Sequence, residues 1–276
     1  MKKILLVVVI IIFITLLLPL AIVWLIGGSG EGQSPIESGT VSVYVSEEDC
    51  VKDMDINEYL KCVVAAEMPA DFEEEALKAQ AVAARTYLYS HIAEKDKGNI
   101  AESHNGAAIC TDSTHCQAYI SEDKRRESWG AEENWNKIST AVDETTGQIM
   151  TYNDEIISAV FHSTSSGITE SAVDVWGADV PYLQSVASTG DEESPKYHSE
   201  LTLSEQEFKN IAEEKIDGVD WNNGLVSNIN RSNAGGIVTL DVGGVNIKGT
   251  EFRNIFSLRS ANVEISQENG NIKMSV

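Results

Sequence analysis

Two helical patterns meet at Pro69, and they constrain this chain more tightly than any other feature of it. Leu60, Val63 and Val64 form the apolar stripe of the first pattern, which opens at Asp55 with Glu58 three residues on. Pro69 closes it, because the residue before a proline is pushed out of helical geometry. Asp71 with Glu74 reads as a second capping pair, and Leu77, Ala81, Ala84, Leu88 and Ile92 then recur at helical spacing. One position breaks the first pattern. Glu67 falls on the apolar stripe, at i+7 from Leu60 and at the C-terminal end of the helix, so it is expected to face inward. There burial and the negative end of the helix both act against the anion. A carboxyl that keeps its proton is what a general acid requires, and glycosidic cleavage is the commonest chemistry built on one. A glutamate on the exposed edge of the last turn is the plainer reading of the same spacing.

Residues 4–26 contain no charged side chain and follow Lys2 and Lys3. That run exceeds the ~20 helical residues that cross a hydrocarbon core, and it ends in Trp24-Leu25-Ile26-Gly27-Gly28 without a small-x-small cleavage site. A transmembrane anchor over 1–28 is expected, with the N-terminus cytoplasmic by the positive-inside rule. A Gly- and Ser-rich linker over 29–40 and an extracytoplasmic domain over 41–276 follow. The formal net charge is −23, from 43 acidic and 20 basic residues. Such a surface repels nucleic acid, which is not expected as a partner.

Within the domain, strands are expected over 41–45, 237–242, 245–248, 262–266 and 272–276, with turns at Gly243-Gly244 and Asn269-Gly270. Strands over 148–152 and 155–161 flank Asn153-Asp154 as a hairpin, and helices are expected over 132–144, from Ser204 to about residue 215, and over 250–257. On the second helix Lys78 and Arg85 project the same way. They invite an anionic ligand, or else they pair with acids such as Glu74 and Glu75.

His104, Cys110, His115 and Cys116 put two imidazoles and two thiols within a short stretch, the ligand types that tetrahedral zinc prefers. A Cys110–Cys116 disulfide is the competing reading, and spacing does not separate the two. Four protein ligands would make the metal structural, since a catalytic zinc needs an open position. Cys62 reads as a small buried hydrophobe. His162 with Ser163 or Ser165 does not read as a hydrolase pair, because no G-x-S-x-G elbow is present and adjacent strand residues point to opposite sides.

The run Glu58-Tyr59-Leu60-Lys61-Cys62-Val63-Val64-Ala65-Ala66-Glu67-Met68-Pro69, followed by Glu75-Ala76-Leu77-Lys78-Ala79-Gln80-Ala81-Val82-Ala83-Ala84-Arg85-Thr86-Tyr87, resembles the signature of the stage II sporulation protein D family. So do Cys116-Gln117-Ala118-Tyr119, Phe161-His162-Ser163-Thr164-Ser165-Ser166-Gly167, Val175-Trp176-Gly177, Pro181-Tyr182-Leu183 and Leu258-Arg259-Ser260. The chain departs from the family's usual Ser-Gly-Gly at Ser165-Ser166-Gly167.

That resemblance implies a lytic transglycosylase that cuts peptidoglycan glycan strands, preferring strands without stem peptides, during engulfment of the forespore. It implies Glu67 as the catalytic acid and one structural zinc on His104, Cys110, His115 and Cys116, as in some clostridial members. Lys78 and Arg85 are expected to bind the lactyl carboxylate of muramic acid, and Gln117, Tyr119, Ser163, Ser165 and Tyr182 to contact sugar by motif position. A hydrolase would need a second carboxylate about 5–10 Å from the first. A lytic transglycosylase lets the muramic C6 hydroxyl attack C1, so one carboxyl serves as acid and then as base. The implied partners are glycan strands, an amidase and other engulfment membrane proteins, at the mother-cell membrane around the forespore. A non-catalytic wall-binding enhancer of an amidase is the alternative. The fold class expected from all this is α+β, with helices carrying the catalytic acid packed with antiparallel strands and hairpins and preceded by one transmembrane helix.

Overall fold

A computed structural model describes residues 39–276. Their contacts divide the chain into two compact units that meet at Phe161 and His162.

In the first unit, β1 (Thr40–Val45) pairs antiparallel with β2 (Cys50–Asp55) and parallel with β3 (Ile109–Cys110). Between them come α1 (Ile56–Glu67) and α2 (Glu74–Asp96), and after them α3 (Glu122–Trp129) and α4 (Glu132–Glu144). The Asp55 carboxylate caps α1 by accepting the N–H groups of Asn57 and Glu58 at 2.9 and 3.1 Å. At the other end Met68 is extended, with φ −129° and ψ 137°, as the proline after it demands. The expected stripe is the buried one: Leu60, Val63 and Val64 of α1 meet Leu77, Ala81, Ala84 and Leu88 of α2 and Trp135, Ile138 and Val142 of α4 in a single core. The Asp71–Glu74 cap does not form. Glu73 is the N-cap of α2, without a side-chain bond, and the helix continues four residues past Ile92. The hairpin is shorter than expected, β4 (Thr151–Tyr152) and β5 (Glu155–Ile156), but its turn residues Asn153 and Asp154 both take positive φ, as a tight two-residue turn requires.

The second unit holds α5 (Ala172–Trp176), β6 (Glu200–Ser204), α6 (Glu205–Lys215), β7 (Val226–Arg231), β8 (Ile237–Val242), β9 (Val245–Lys248), α7 (Gly249–Ile255), β10 (Glu264–Glu268) and β11 (Asn271–Ser275). Two antiparallel sheets result, ordered β10-β11-β6 and β7-β8-β9. Ser204 and Glu207 close the expected capping box on α6. Phe208 of α6 stacks on Phe256 at 4.7 Å, and Phe252 of α7 lies 4.8 Å from Phe256, so the two helices cover Leu240, Ile272 and Met274 of the sheets. Gly249 is obligatory where β9 turns into α7, because a Cβ there would lie 1.7 Å from the carbonyl oxygen of Ile237.

The expected fold class requires correction. The α+β architecture with antiparallel sheets is present, but no helix among the described residues is long and apolar enough to cross a membrane. The longest, α2, carries Glu74, Glu75, Lys78, Arg85, Glu94, Lys95 and Asp96. Among the described residues the class is therefore α+β with no spanning helix. Residues 4–26, on which that helix was expected, lie outside the described residues, as does the linker through residue 38.

Candidate functional site

Glu67 is the last residue of α1, and the forced extension at Met68 turns the chain away immediately beyond it. Its side chain is half-buried, less enclosed than the inward stripe implied. The backbone N–H of Ala118 donates to Glu67 Oε1 at 2.8 Å. Ala118 belongs to the segment that follows β3, and this segment is fixed to α1 a second time where Ile120 N–H donates to the Cys62 carbonyl at 3.4 Å. Tyr119 stacks on Tyr59 of α1 with ring centroids 5.8 Å apart.

The same segment carries the His/Cys cluster. The ligand atoms of His104, Cys110, His115 and Cys116 all lie within 4.8 Å of one another. His104 Nε2 is 3.1 Å from His115 Nδ1 and 3.2 Å from Cys116 Sγ, and His115 Nδ1 is 3.3 Å from Cys116 Sγ and 3.7 Å from Cys110 Sγ. Zinc–nitrogen and zinc–sulfur bonds of about 2.0 and 2.3 Å give tetrahedral edges of roughly 3.3–3.8 Å. The four side chains therefore fit one zinc ion, and both cysteines are free thiols rather than a disulfide. With its proton on Nε2 and directed at Ser103 Oγ, 3.1 Å away, His115 presents the Nδ1 lone pair to the cluster. Burial pushes the Cys116 thiol up to about 12, and a bound cation would reverse that preference. Local backbone bonds set the ligands: His115 and Cys116 both donate N–H to the Asp112 carbonyl, at 3.1 and 2.7 Å, and the Asp112 carboxylate accepts from Thr114 N–H and Oγ1.

Lys78 and Arg85 of α2 are both engaged by neighbouring groups of the first unit, the second of the two readings that their shared face allowed. Lys78 Nζ lies 2.7 Å from Glu144, 2.7 Å from Glu74 and 3.0 Å from Glu75. The Glu144 bond first, then those of Glu74 and Glu75, hold its pKa well above the ordinary lysine value. Arg85 is only 1% exposed. Its guanidinium donates to the Thr145 carbonyl at 2.7 Å, the Val142 carbonyl at 2.9 Å and Thr145 Oγ1 at 3.2 Å. A buried cation thus faces the negative C-terminal end of α4 and ties that helix to α2. Burial draws its pKa below the usual guanidinium value.

The sugar contacts offered by motif position divide between the units. Gln117 and Tyr119 lie in the first. Gln117 is 3% exposed, its Nε2 reaches only 3.5 Å toward the Ala84 carbonyl, and its buried Oε1 has no partner among the described residues. Ser163, Ser165 and Tyr182 lie in the second unit. Ser163 is exposed and Tyr182 half-buried. Ser165 is committed to Asp191, donating its N–H at 2.8 Å and its hydroxyl at 2.6 Å to one carboxylate oxygen, which also accepts from Ser188 Oγ at 2.9 Å. The Ser165 hydroxyl bond, then the remaining donors, holds the Asp191 carboxyl below its usual range. Sequence reasoning missed Asp191, which no local pattern marks. It also passed over the Ala118 N–H, although Ala118 stands inside a quoted motif, because a backbone donor leaves no compositional signal.

The site therefore defines an α+β protein in which a carboxyl at a helix end is strapped to a loop built around a two-His, two-Cys cluster. The SpoIID family, described as "Stage II sporulation protein", matches residues 44–152, a stretch that holds Glu67 and all four His/Cys residues. The chain is 35% identical over 245 residues to "Stage II sporulation protein D" of Bacillus amyloliquefaciens, covering 88% of this chain and 68% of that protein. It is 36% identical over 241 residues to "Stage II sporulation protein D" of Bacillus subtilis (strain 168), covering 86% and 68%. It is also 37% identical over 149 residues to "Amidase enhancer" of Bacillus subtilis (strain 168), covering 54% of this chain and 17% of that protein. The chain belongs to the stage II sporulation protein D family, which places it among sporulation proteins.

Proposed function

We propose that this chain is a lytic transglycosylase of peptidoglycan glycan strands, with Glu67 as its catalytic acid and base. The observation that carries the reading is the Glu67 carboxyl, half-buried at the end of α1 and held through one oxygen by Ala118 N–H. That bond occupies Oε1 and leaves Oε2 for proton transfer. In the first step the acid proton passes to the bridging oxygen between N-acetylmuramic acid and N-acetylglucosamine, and the bond from C1 to that oxygen breaks. The muramic C6 hydroxyl then bonds to C1 and returns its proton to the Glu67 carboxylate. One carboxyl suffices, and the product ends in a 1,6-anhydro sugar. Strands stripped of stem peptides are the preferred substrate, and the chain works outside the cytoplasm around the engulfed forespore, beside an amidase and other engulfment proteins.

His104, Cys110, His115 and Cys116 would hold one zinc ion. Such an ion would cross-link β3 and the segment after it to the 3-10 turn Glu102–His104, and with four protein ligands it would take no part in the reaction.

A second reading, a non-catalytic wall-binding enhancer of an amidase, is favoured by the relative named "Amidase enhancer". Incubating the full chain with denuded glycan strands, with no amidase present, separates the two. Release of 1,6-anhydro ends is expected; binding without release would leave the enhancer reading standing instead.

A further inference from the structure

In the second unit the two motif segments of residues 163–166 and 258–260 converge on one cleft of about 640 Å³, a volume ordinary for a small-ligand site. We infer that this cleft is a binding site for a carboxylate-bearing amino sugar, with Lys196 and Arg259 as the cations that receive the carboxylate.

Charge carries the argument. In a chain with 43 acidic residues, basic side chains find acids readily. In this unit Lys209, Lys215, Arg231 and Lys273 pair with Glu205, Glu214, Glu264 and Glu200. Lys196 and Arg259, like Lys248 and Arg253 elsewhere in the unit, form no ion pair with any described residue, but only these two line the cleft together. Glu264, the acid of the lining, is engaged by Arg231 at 3.1 Å. The cleft thus presents two uncompensated cations on a strongly anionic protein, where a diffusing anion gains most.

The walls are also held in place. Arg259 Nη1 donates to the Lys196 carbonyl at 3.3 Å, which keeps the two cations on one wall. Asp191 binds the Ser165 backbone and hydroxyl, and Ser199 and Val276 exchange backbone bonds at 2.8 Å. Ser163, Ser166 and Tyr197 also line the cleft, and hydroxyl-bearing residues beside the cations suit a hydroxylated ring better than an inorganic anion.

This inference rests on the reading that the chain acts on peptidoglycan, where muramic acid and glucosamine differ by a 3-O-lactyl carboxylate. It is tested by titrating the full chain with N-acetylmuramic acid, N-acetylglucosamine and inorganic phosphate, followed by calorimetry or chemical-shift perturbation. N-acetylmuramic acid is expected to bind at least tenfold more tightly than either of the others. Lys196→Gln and Arg259→Gln, both at exposed positions and each checked for an unchanged melting temperature, should each weaken that binding at least fivefold, while Lys215→Gln, an equal change of charge elsewhere, leaves it unaltered. Equal affinity for the two sugars, phosphate binding as tight as muramic acid, or full affinity in both cleft variants would overturn the assignment. Glu67→Gln separates the two claims. That variant should lose cleavage and keep the sugar preference; cleavage unchanged in the variant, with the preference intact, defeats the proposed reaction alone, and cleavage by wild type without the preference defeats the cleft alone.

Discussion

Ala118 N–H donates to Glu67 Oε1 at 2.8 Å, and Ala118 stands two residues beyond Cys116 of the His/Cys cluster. The segment that a metal would clamp is therefore the segment that orients the carboxyl. Two of the features that sequence reasoning kept apart, the acid and the zinc set, form one mechanical unit.

Removing the metal should accordingly disable the acid without touching it. A chelator, or Cys116→Ser, is expected to cut release of anhydro ends at least tenfold and to lower the melting temperature by roughly 5 °C or more. Native mass spectrometry checks the premise, with one zinc bound to wild type and none to the variant. A chain that carries no metal and works at full rate would contradict it.

Arg85→Met should be far more damaging than its position on a helix surface pattern suggests. It removes the charged donor from the Thr145 and Val142 carbonyls, which keep Gln148 N–H and Thr145 Oγ1, a loss of about 1.5–3 kcal/mol. Arg85→Lys should recover only part of it, because an ammonium cannot reach three acceptors in the same fork. Denaturant unfolding of the two variants measures both values.

Lys78→Gln, by contrast, should leave activity on denuded glycan unchanged. Its ammonium is shared among Glu144, Glu74 and Glu75, so it is not available to a substrate carboxylate. A rise in KM above threefold would restore the ligand role that the helix pattern first invited.

Acid should loosen the loop of residues 163–167 before the rest of the second unit. Asp191 has its folded pKa lowered, first by the Ser165 hydroxyl, so its contribution is present above the unfolded value of about 3.8 and is lost as pH falls through the folded one. Amide exchange at Ser165 should rise relative to the core as pH drops below about 4, after correction for intrinsic exchange. Asp191→Asn should show that loosened state at neutral pH.

How far the chain could be read in advance follows from where each interaction lies. The α1 stripe, the stop at Pro69, the Asn153-Asp154 turn and the Ser204–Glu207 box are local, and they stand as expected. The edge strands β2 and β7 carry polar, exposed sequences without an apolar alternation, so no period marks them. Leu201 and Leu203 of β6 do alternate, but the strand is only five residues long and was not expected. Lys78 and Arg85 share a face of α2; the pairing of Lys78 with Glu74 and Glu75 is local and was legible, whereas Glu144 and the acceptors of Arg85 stand at the end of α4, some sixty residues on, where no spacing rule reports them. The four cluster residues were legible by type, and only folding decides that their ligand atoms converge.

The central claim concerns one carboxyl. Wild type and Glu67→Gln, matched for zinc content and melting temperature, are incubated with denuded glycan strands, and 1,6-anhydro ends are counted by mass spectrometry. The account predicts steady release by wild type and a fall of at least a hundredfold in the variant, since the amide can neither give nor accept the proton. Equal release from the two proteins would contradict it.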